Sequence, residues 1–172
     1  LLRNKGGVVN NIKTENGFTL IEVLTVVIII GILAAIIIPK LTSSTGLARQ
    51  KADIALAHEV KTALDRYQLD HGAYPKSTEL TVNNGAIICL NLIPKYISKL
   101  DKSTTQQIVP EANKGFGLAS LTVDAIDKTQ FSIPDTKPVA NTIMIYLSGD
   151  GLAAEVRAYD EGLENVLWSS AN

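Results

Sequence analysis

Apolar and polar positions divide the chain into stretches of different period. From Phe18 to Ile38 it reads FTLIEVLTVVIIIGILAAIII, with Glu22 as its one charge. As an α-helix such a run is roughly 31 Å long, matching a hydrocarbon core about 30 Å thick. A helix at the edge of a soluble core keeps one polar face, and this run keeps none. It predicts a single membrane-spanning helix over 18–41. A secretory signal has a shorter apolar region ending at a small-residue cleavage site, and here the run is longer and more helix follows it. The preceding stretch, 1–17, carries Arg3, Lys5 and Lys13 against Glu15. That excess of basic residues places it on the cytoplasmic side.

Over 42–71 the apolar residues recur at helical spacing. Ala48, Ala52, Ala55, Leu56, Val60, Ala63, Leu64 and Tyr67 form one stripe, with Arg49, Lys51, Asp53, Glu59, Lys61, Asp65 and Arg66 between them. This predicts an amphipathic helix continuing from the apolar one, its alanine-rich stripe packed on a sheet. Thr42-Ser43-Ser44-Thr45-Gly46 lowers helix propensity between the halves and predicts a bend. His71-Gly72 followed by Pro75 predicts the stop.

The remaining stretch, 72–172, predicts a globular α/β head. Asn84-Gly85 before Ala86 to Leu92 is read as the start of a short helix ending before Pro94. The stretch from Lys95 to Pro138 is loop-rich, and Phe116 to Val123 suits a strand or a short helix. Thr142–Leu147, Ala154–Tyr159 and Asn165–Ser169 are short runs separated by Ser148-Gly149-Asp150-Gly151 and Asp160-Glu161-Gly162, which predicts an antiparallel meander. The fold class expected is α+β: one long N-terminal helix whose distal half packs on a C-terminal antiparallel sheet of three or four strands.

Composition narrows the chemistry. Lys plus Arg number 16 and Asp plus Glu 17. No basic excess exists to neutralise phosphates, so specific nucleic-acid binding is not expected. A lone Cys89 precludes an intrachain disulfide and a cysteine-only zinc site. His58-Glu59 begins like a zinc-binding HExxH, but position 62 is Thr. Gly115-Phe116-Gly117 lacks the third glycine of a dinucleotide loop. There is no nucleophile elbow and no phosphate-binding loop, and the chain is read as a substrate of an enzyme rather than an enzyme.

Glu22 sits one turn inside the apolar run, where an acid wants a positive partner, and the run holds no Lys or Arg. The partner must come from another chain or from a newly made N-terminus. Gly17-Phe18-Thr19-Leu20-Ile21-Glu22-Val23-Leu24 resembles the prepilin peptidase site of type IV pilins and type II secretion pseudopilins. The resemblance continues through Gly31-Ile32-Leu33-Ala34-Ala35 to Pro39, and Tyr67 to Pro75 is similar to the helix exit of many pseudopilins. It implies that 1–17 is a leader cut off after Gly17, that Phe18 becomes the N-methylated terminus, and that Glu22 neutralises the terminal amine of a neighbouring subunit. It further implies that Gly31 and Pro39 mark a stretch that is partly unwound or kinked in filaments. Many type IV pilins tie their C-terminal loop with a disulfide, which this chain cannot form. Some pseudopilins hold that loop with calcium. Asp150 and Asp160 are candidate ligands by position, but the usual glycine-rich insertion is absent, and two aspartates in β-turns is the simpler reading. No cofactor is otherwise expected.

The function so implied is a structural subunit of a type IV pilus-like filament, held in the inner membrane and then polymerised through its N-terminal helix. Its partners would be copies of itself, the prepilin peptidase, an inner-membrane assembly platform and minor pilins. The alternative within the family is the major pseudopilin of a secretion or DNA-uptake machine, favoured by the Tyr74-Pro75 exit and the missing disulfide. Glu22 argues against the tip subunit that lacks this acid. A membrane-anchored receptor domain that never polymerises is the alternative of another class.

Overall fold

The computed structural model describes residues 17–124, 127, 130–133 and 140–171. Helix α1 runs Leu20–His71. The strands are β1 (Thr81–Asn83), β2 (Ala86–Ile88), β3 (Phe116–Ser120), β4 (Thr122–Val123), β5 (Phe131–Ser132), β6 (Ile143–Leu147), β7 (Ala154–Tyr159) and β8 (Val166–Ser169). A 3-10 turn, Glu111–Asn113, precedes β3. The chain divides into two units between Thr42 and Ser43.

The helix continues through Gly31, Pro39 and Thr42 to Gly46. The low-propensity stretch Thr42–Gly46 remains within α1. Hydroxyls that can compete with the backbone here turn back onto the helix: Thr42 Oγ1 donates to the Ile38 carbonyl at 3.0 Å, as Thr25 Oγ1 does to Ile21 at 2.8 Å. Pro39 has no N–H to offer the carbonyl four residues back, so one ladder bond is missing inside a helix that otherwise continues. The end of α1 follows the sequence. Gly72 adopts φ +78° and its N–H donates to the Gln68 carbonyl at 2.7 Å.

The buried face of α1 comprises Asp53, Ala57, Val60, Ala63, Leu64 and Tyr67. This corrects the alanine stripe, since Ala48, Ala52 and Ala55 are exposed. The true phase is 53, 57, 60, 64, 67, an alternating four-and-three spacing hidden in the sequence because its first position is an aspartate. That face meets one side of a four-stranded sheet of order β3-β6-β7-β8. Phe116, Ile143, Ile145, Leu147, Val156 and Ala158 point into this core with Leu80, Ile87, Leu92 and Leu100. The opposite side of the sheet carries Met144, Tyr146 and Tyr159, covered by Leu121, Phe131, Ile133 and Leu163. All five residues of β6 are buried because the strand is covered on both faces. The Tyr146 and Tyr159 hydroxyls meet at 2.9 Å, and burial pushes the Tyr146 phenol well above its ordinary range.

The meander β6-β7-β8 is antiparallel as expected, but the sheet is mixed. β3 runs parallel to β6, from Phe116 opposite Ile143 to Ser120 opposite Leu147. A parallel neighbour needs a long return connection, and the residues between Ser120 and Ile143 supply it. A second correction concerns Ala86 to Leu92. Thr81–Asn83 and Ala86–Ile88 form a hairpin instead of a helix start. Asn84 (φ +50°) and Gly85 (φ +73°) make its two-residue turn, and Asn-Gly is the pair that tolerates both left-handed positions of that turn. The Gly85 carbonyl accepts from Phe116 N–H at 2.9 Å, docking the hairpin at the start of β3. Gly115 and Gly117, read against a dinucleotide loop, thus serve the edge of a strand.

Candidate functional site

Along 18–41 no side chain is buried. The large apolar residues of this stretch are exposed to between 47% at Leu24 and 88% at Phe18. Among the described residues, α1 is the one helix long and apolar enough to cross a membrane. Scattered apolar side chains are ordinary on a surface, but an apolar helix exposed all round over 18–41, with Ala34 alone half-buried, requires a covering medium, either lipid or protein.

This surface begins at a built N-terminus. Gly17 and Phe18 are exposed and non-helical. Thr19 is the N-cap: its carbonyl accepts from Glu22 N–H at 3.1 Å, and its hydroxyl lies 3.3 Å from the same N–H. Glu22 reaches back in return. Its Oε2 accepts from Thr19 N–H at 2.8 Å and from Thr19 Oγ1 at 2.7 Å. This is a reciprocal capping box. Thr19-Leu20-Ile21-Glu22 carries its pattern in plain sight, and the sequence reading missed it by treating Glu22 only as an intramembrane charge. The basic residues Arg3, Lys5 and Lys13 lie outside the described residues.

The head has its own polar fastening. Asp53 is fully buried and accepts from Gln106 N–H at 2.6 Å, Gln107 N–H at 3.3 Å and Gln107 Nε2 at 3.1 Å. Gln107 Nε2 also donates to the Tyr159 carbonyl at 2.9 Å, at the end of β7. Helix, loop and sheet are tied through one carboxylate and one amide. Gln107 Oε1 and Thr142 Oγ1 are buried without a hydrogen-bond partner among the described residues. Asp53 and Gln107 were missed because a lone aspartate among helical charges reads as solvated, and its partners lie 53 and 54 residues away.

Asp150 and Asp160 are not brought together. They flank β7, at opposite ends of a strand roughly 20 Å long at about 3.3 Å per residue. Asp150 accepts from Leu152 N–H at 3.0 Å, which holds its carboxyl below the usual range. Asp160 is disfavoured as an anion by burial, but the Asn165 side chain and the backbone N–H groups of Glu164, Asn165 and Gly162 outweigh this and lower its pKa. Both serve turns. Among the described residues, no three His, Cys, Asp or Glu side chains gather as metal ligands. Cys89 is buried and free.

The two histidines do structural work through their rings. His58 lies 4.0 Å from Trp168 of β8, centroid to centroid. His71 stacks on Tyr67 at 4.1 Å, and its Nδ1 lies 3.0 Å from the Tyr67 carbonyl. Beside them Tyr96 donates to Asp70 at 2.7 Å and receives Lys95 at 2.8 Å. That phenol holds the Asp70 carboxyl below its usual range. Lys61, Asp65 and Tyr74 form a further cluster, in which Tyr74 donates to Asp65 at 2.8 Å and Lys61 pairs with Asp65.

Comparison with known proteins agrees with this N-terminal geometry. Residues 12–38 match the family model of the prokaryotic N-terminal methylation motif. The chain is similar to the type II secretion system core protein G of Pseudomonas aeruginosa, 39% identical over 67 residues, covering 39% of this chain and 47% of that protein. It is similar to the type IV major pilin protein PilE of Neisseria gonorrhoeae, 44% identical over 62 residues, covering 36% of this chain and 37% of that protein. A fimbrial protein of Neisseria meningitidis serogroup A is 33% identical over 87 residues, covering 51% of this chain and 49% of its own. The chain thus spans about half or less of the length of the curated relatives it matches. No solved structure matches it. The resemblance to type IV pilins and type II secretion pseudopilins read from Gly17 to Pro39 stands.

Proposed function

We propose that this chain is a non-enzymatic structural subunit of a type IV pilus-like filament, polymerised through its N-terminal helix. One observation carries the reading: the apolar surface of 18–41 is exposed around the whole helix, behind a Glu22 held at its first turn. Lipid covers that surface before assembly and copies of the same helix cover it afterwards. Packing identical helices side by side gains no hydrophobic energy over lipid. Register must then come from something polar, and a buried acid facing a buried amine rewards one axial offset over others.

In this reading residues 1–17 are a leader removed after Gly17 by the prepilin peptidase, and Phe18 is the methylated terminus. Gly31 and Pro39 are the places where α1 unwinds during packing, since Gly and Pro cost about 1 and 3 kcal/mol relative to Ala within a helix. Assembly-platform proteins and minor pilins are the remaining partners. The second reading, a major pseudopilin of a secretion or uptake machine, is supported by similarity to the type II secretion core protein G and by a head closed without a disulfide.

The test is the mass of the protein purified from cells, together with its state. A mature N-terminus at methylated Phe18 in isolated filaments supports the proposal. An intact leader on a chain that stays monomeric in detergent would favour the membrane-anchored receptor instead.

A further inference from the structure

Resting on that reading, we propose that the face of α1 turned away from the sheet is a contact between copies of this chain, in which Glu59 of one copy pairs with Arg66 of a neighbouring copy. Ala52, Ala55, Glu59, Thr62, Arg66 and Leu69 recur at alternating steps of three and four residues, and all are exposed. Positions 55, 59, 62, 66 and 69 each lie two residues, about 200° of helical rotation, beyond the buried positions 53, 57, 60, 64 and 67. Among the described residues Glu59 and Arg66 make no ion pair or hydrogen bond. The opposite charges near them on α1 are already taken: Lys61 pairs with Asp65, and Asp70 holds Tyr96 at 2.7 Å with Lys95 at 3.7 Å. Thr62 spends its hydroxyl on the His58 carbonyl at 2.9 Å.

Charge complementarity names the occupant and its offset. A seam of this period is where two helices pack with their axes nearly parallel, and the short side chains at 52 and 55 let the axes come close. Copies polymerised through the same helix run in one direction. With no axial offset, Glu59 would face Glu59 and Arg66 would face Arg66, two repulsive pairs. An offset of seven residues, about 10.5 Å, lays the seam on itself again. Ala55 then stands beside Thr62, Thr62 beside Leu69, and Glu59 beside Arg66. One exposed ion pair contributes little by itself. Repeated at every subunit of a filament, it favours one offset over the unshifted one.

The experiment uses the full chain in cells with the assembly machinery. It reads N-terminal mass, filament yield per membrane-held subunit, and disulfide cross-linking of isolated filaments by copper phenanthroline. Glu59→Arg and Arg66→Glu are each expected to be processed normally while filament yield falls about threefold to tenfold, the scale of exchanging an attractive exposed pair for a repulsive one. The double reversal is expected to restore the yield. Ala55→Cys combined with Thr62→Cys should give a ladder of many linked subunits, because these positions lie about 10.5 Å apart on one helix and cannot bond to each other within a chain. Either cysteine alone should give no ladder. Wild-type yield from both single reversals would overturn the inference, as would a double reversal that fails to restore it. Dimers linked through Ala55→Cys alone, or normal filaments of the double cysteine variant without a ladder, would overturn it too. An unaltered chain that keeps 1–17 and forms no filament would instead remove the filament reading, and this contact with it.

Discussion

Replacing Asp53 by alanine isolates the fastening that this head uses without a disulfide. Asp53 is fully buried and receives three hydrogen bonds from one loop, with donor distances of 2.6, 3.3 and 3.1 Å. After the substitution Gln107 Nε2 keeps the Tyr159 carbonyl, but the N–H groups of Gln106 and Gln107 lose their acceptor. Each buried donor left unpaired costs about 1–3 kcal/mol. Gln106 is exposed and its N–H can reach water after a small loop shift, and removing a buried charge gives some free energy back. The net expectation is about 2–4 kcal/mol of lost stability. Urea unfolding of a fragment beginning at Ser43, followed by Trp168 fluorescence, reads this as a midpoint lower by about 1–3 M with an unchanged slope. Asp53→Asn keeps one acceptor and places an amide group against the remaining donor, so it should fall between wild type and alanine. A change below about 0.5 kcal/mol for Asp53→Ala, the size of an ordinary surface substitution, would refute the argument.

The phase of α1 gives a paired test. Ala57→Asp should cost several kcal/mol by placing an unpartnered charge in the core, whereas Ala52→Asp should stay within about 0.5 kcal/mol; equal costs would restore the alanine stripe. Leu64→Ala should destabilise the same fragment by about 2–5 kcal/mol in urea titration, and a loss under 1 kcal/mol would mean that α1 does not seat on the sheet. Gly85→Val meets both a positive φ and the Lys114 carbonyl, so it should lower stability by about 2–4 kcal/mol and be matched by no such loss at exposed Gly149→Val. Acid should weaken the head. The carboxyls of Asp70, Asp101, Asp150 and Asp160 are all lowered in the fold. Such groups contribute stability above their unfolded value, near 4, and lose it as pH falls through the lower folded values. The melting temperature should therefore decline as pH drops below about 4; a rise there would contradict the hydrogen bonding described.

Much of this was legible before the fold was seen, and the reasons differ by element. Periodicity announces α1 because the signal is long and its end is marked by Gly72. The strands β6, β7 and β8 are legible because turn residues fence short β-branched runs. Parallel pairing of β3 is not, since nothing in Phe116 to Ser120 says which neighbour it will find. The Asn84-Gly85 hairpin was misread although its turn pair was in view, because the apolar run after it suits either element. At the start of α1, Glu22 stands out as a charge among apolar residues. Thr19 does not, for a threonine in an apolar helix is unremarkable until its bond to Glu22 is drawn. Asp53 was hidden by distance: its acceptor role exists only once a loop more than fifty residues later folds over it.

The most direct test is electron cryo-microscopy of filaments whose subunit is identified by mass as this chain. The account predicts helices 18–41 bundled along the axis, away from water, with Glu22 against the terminal amine of an adjacent copy. Filaments with that stretch on their outer surface, or with Glu22 turned to solvent, would contradict it.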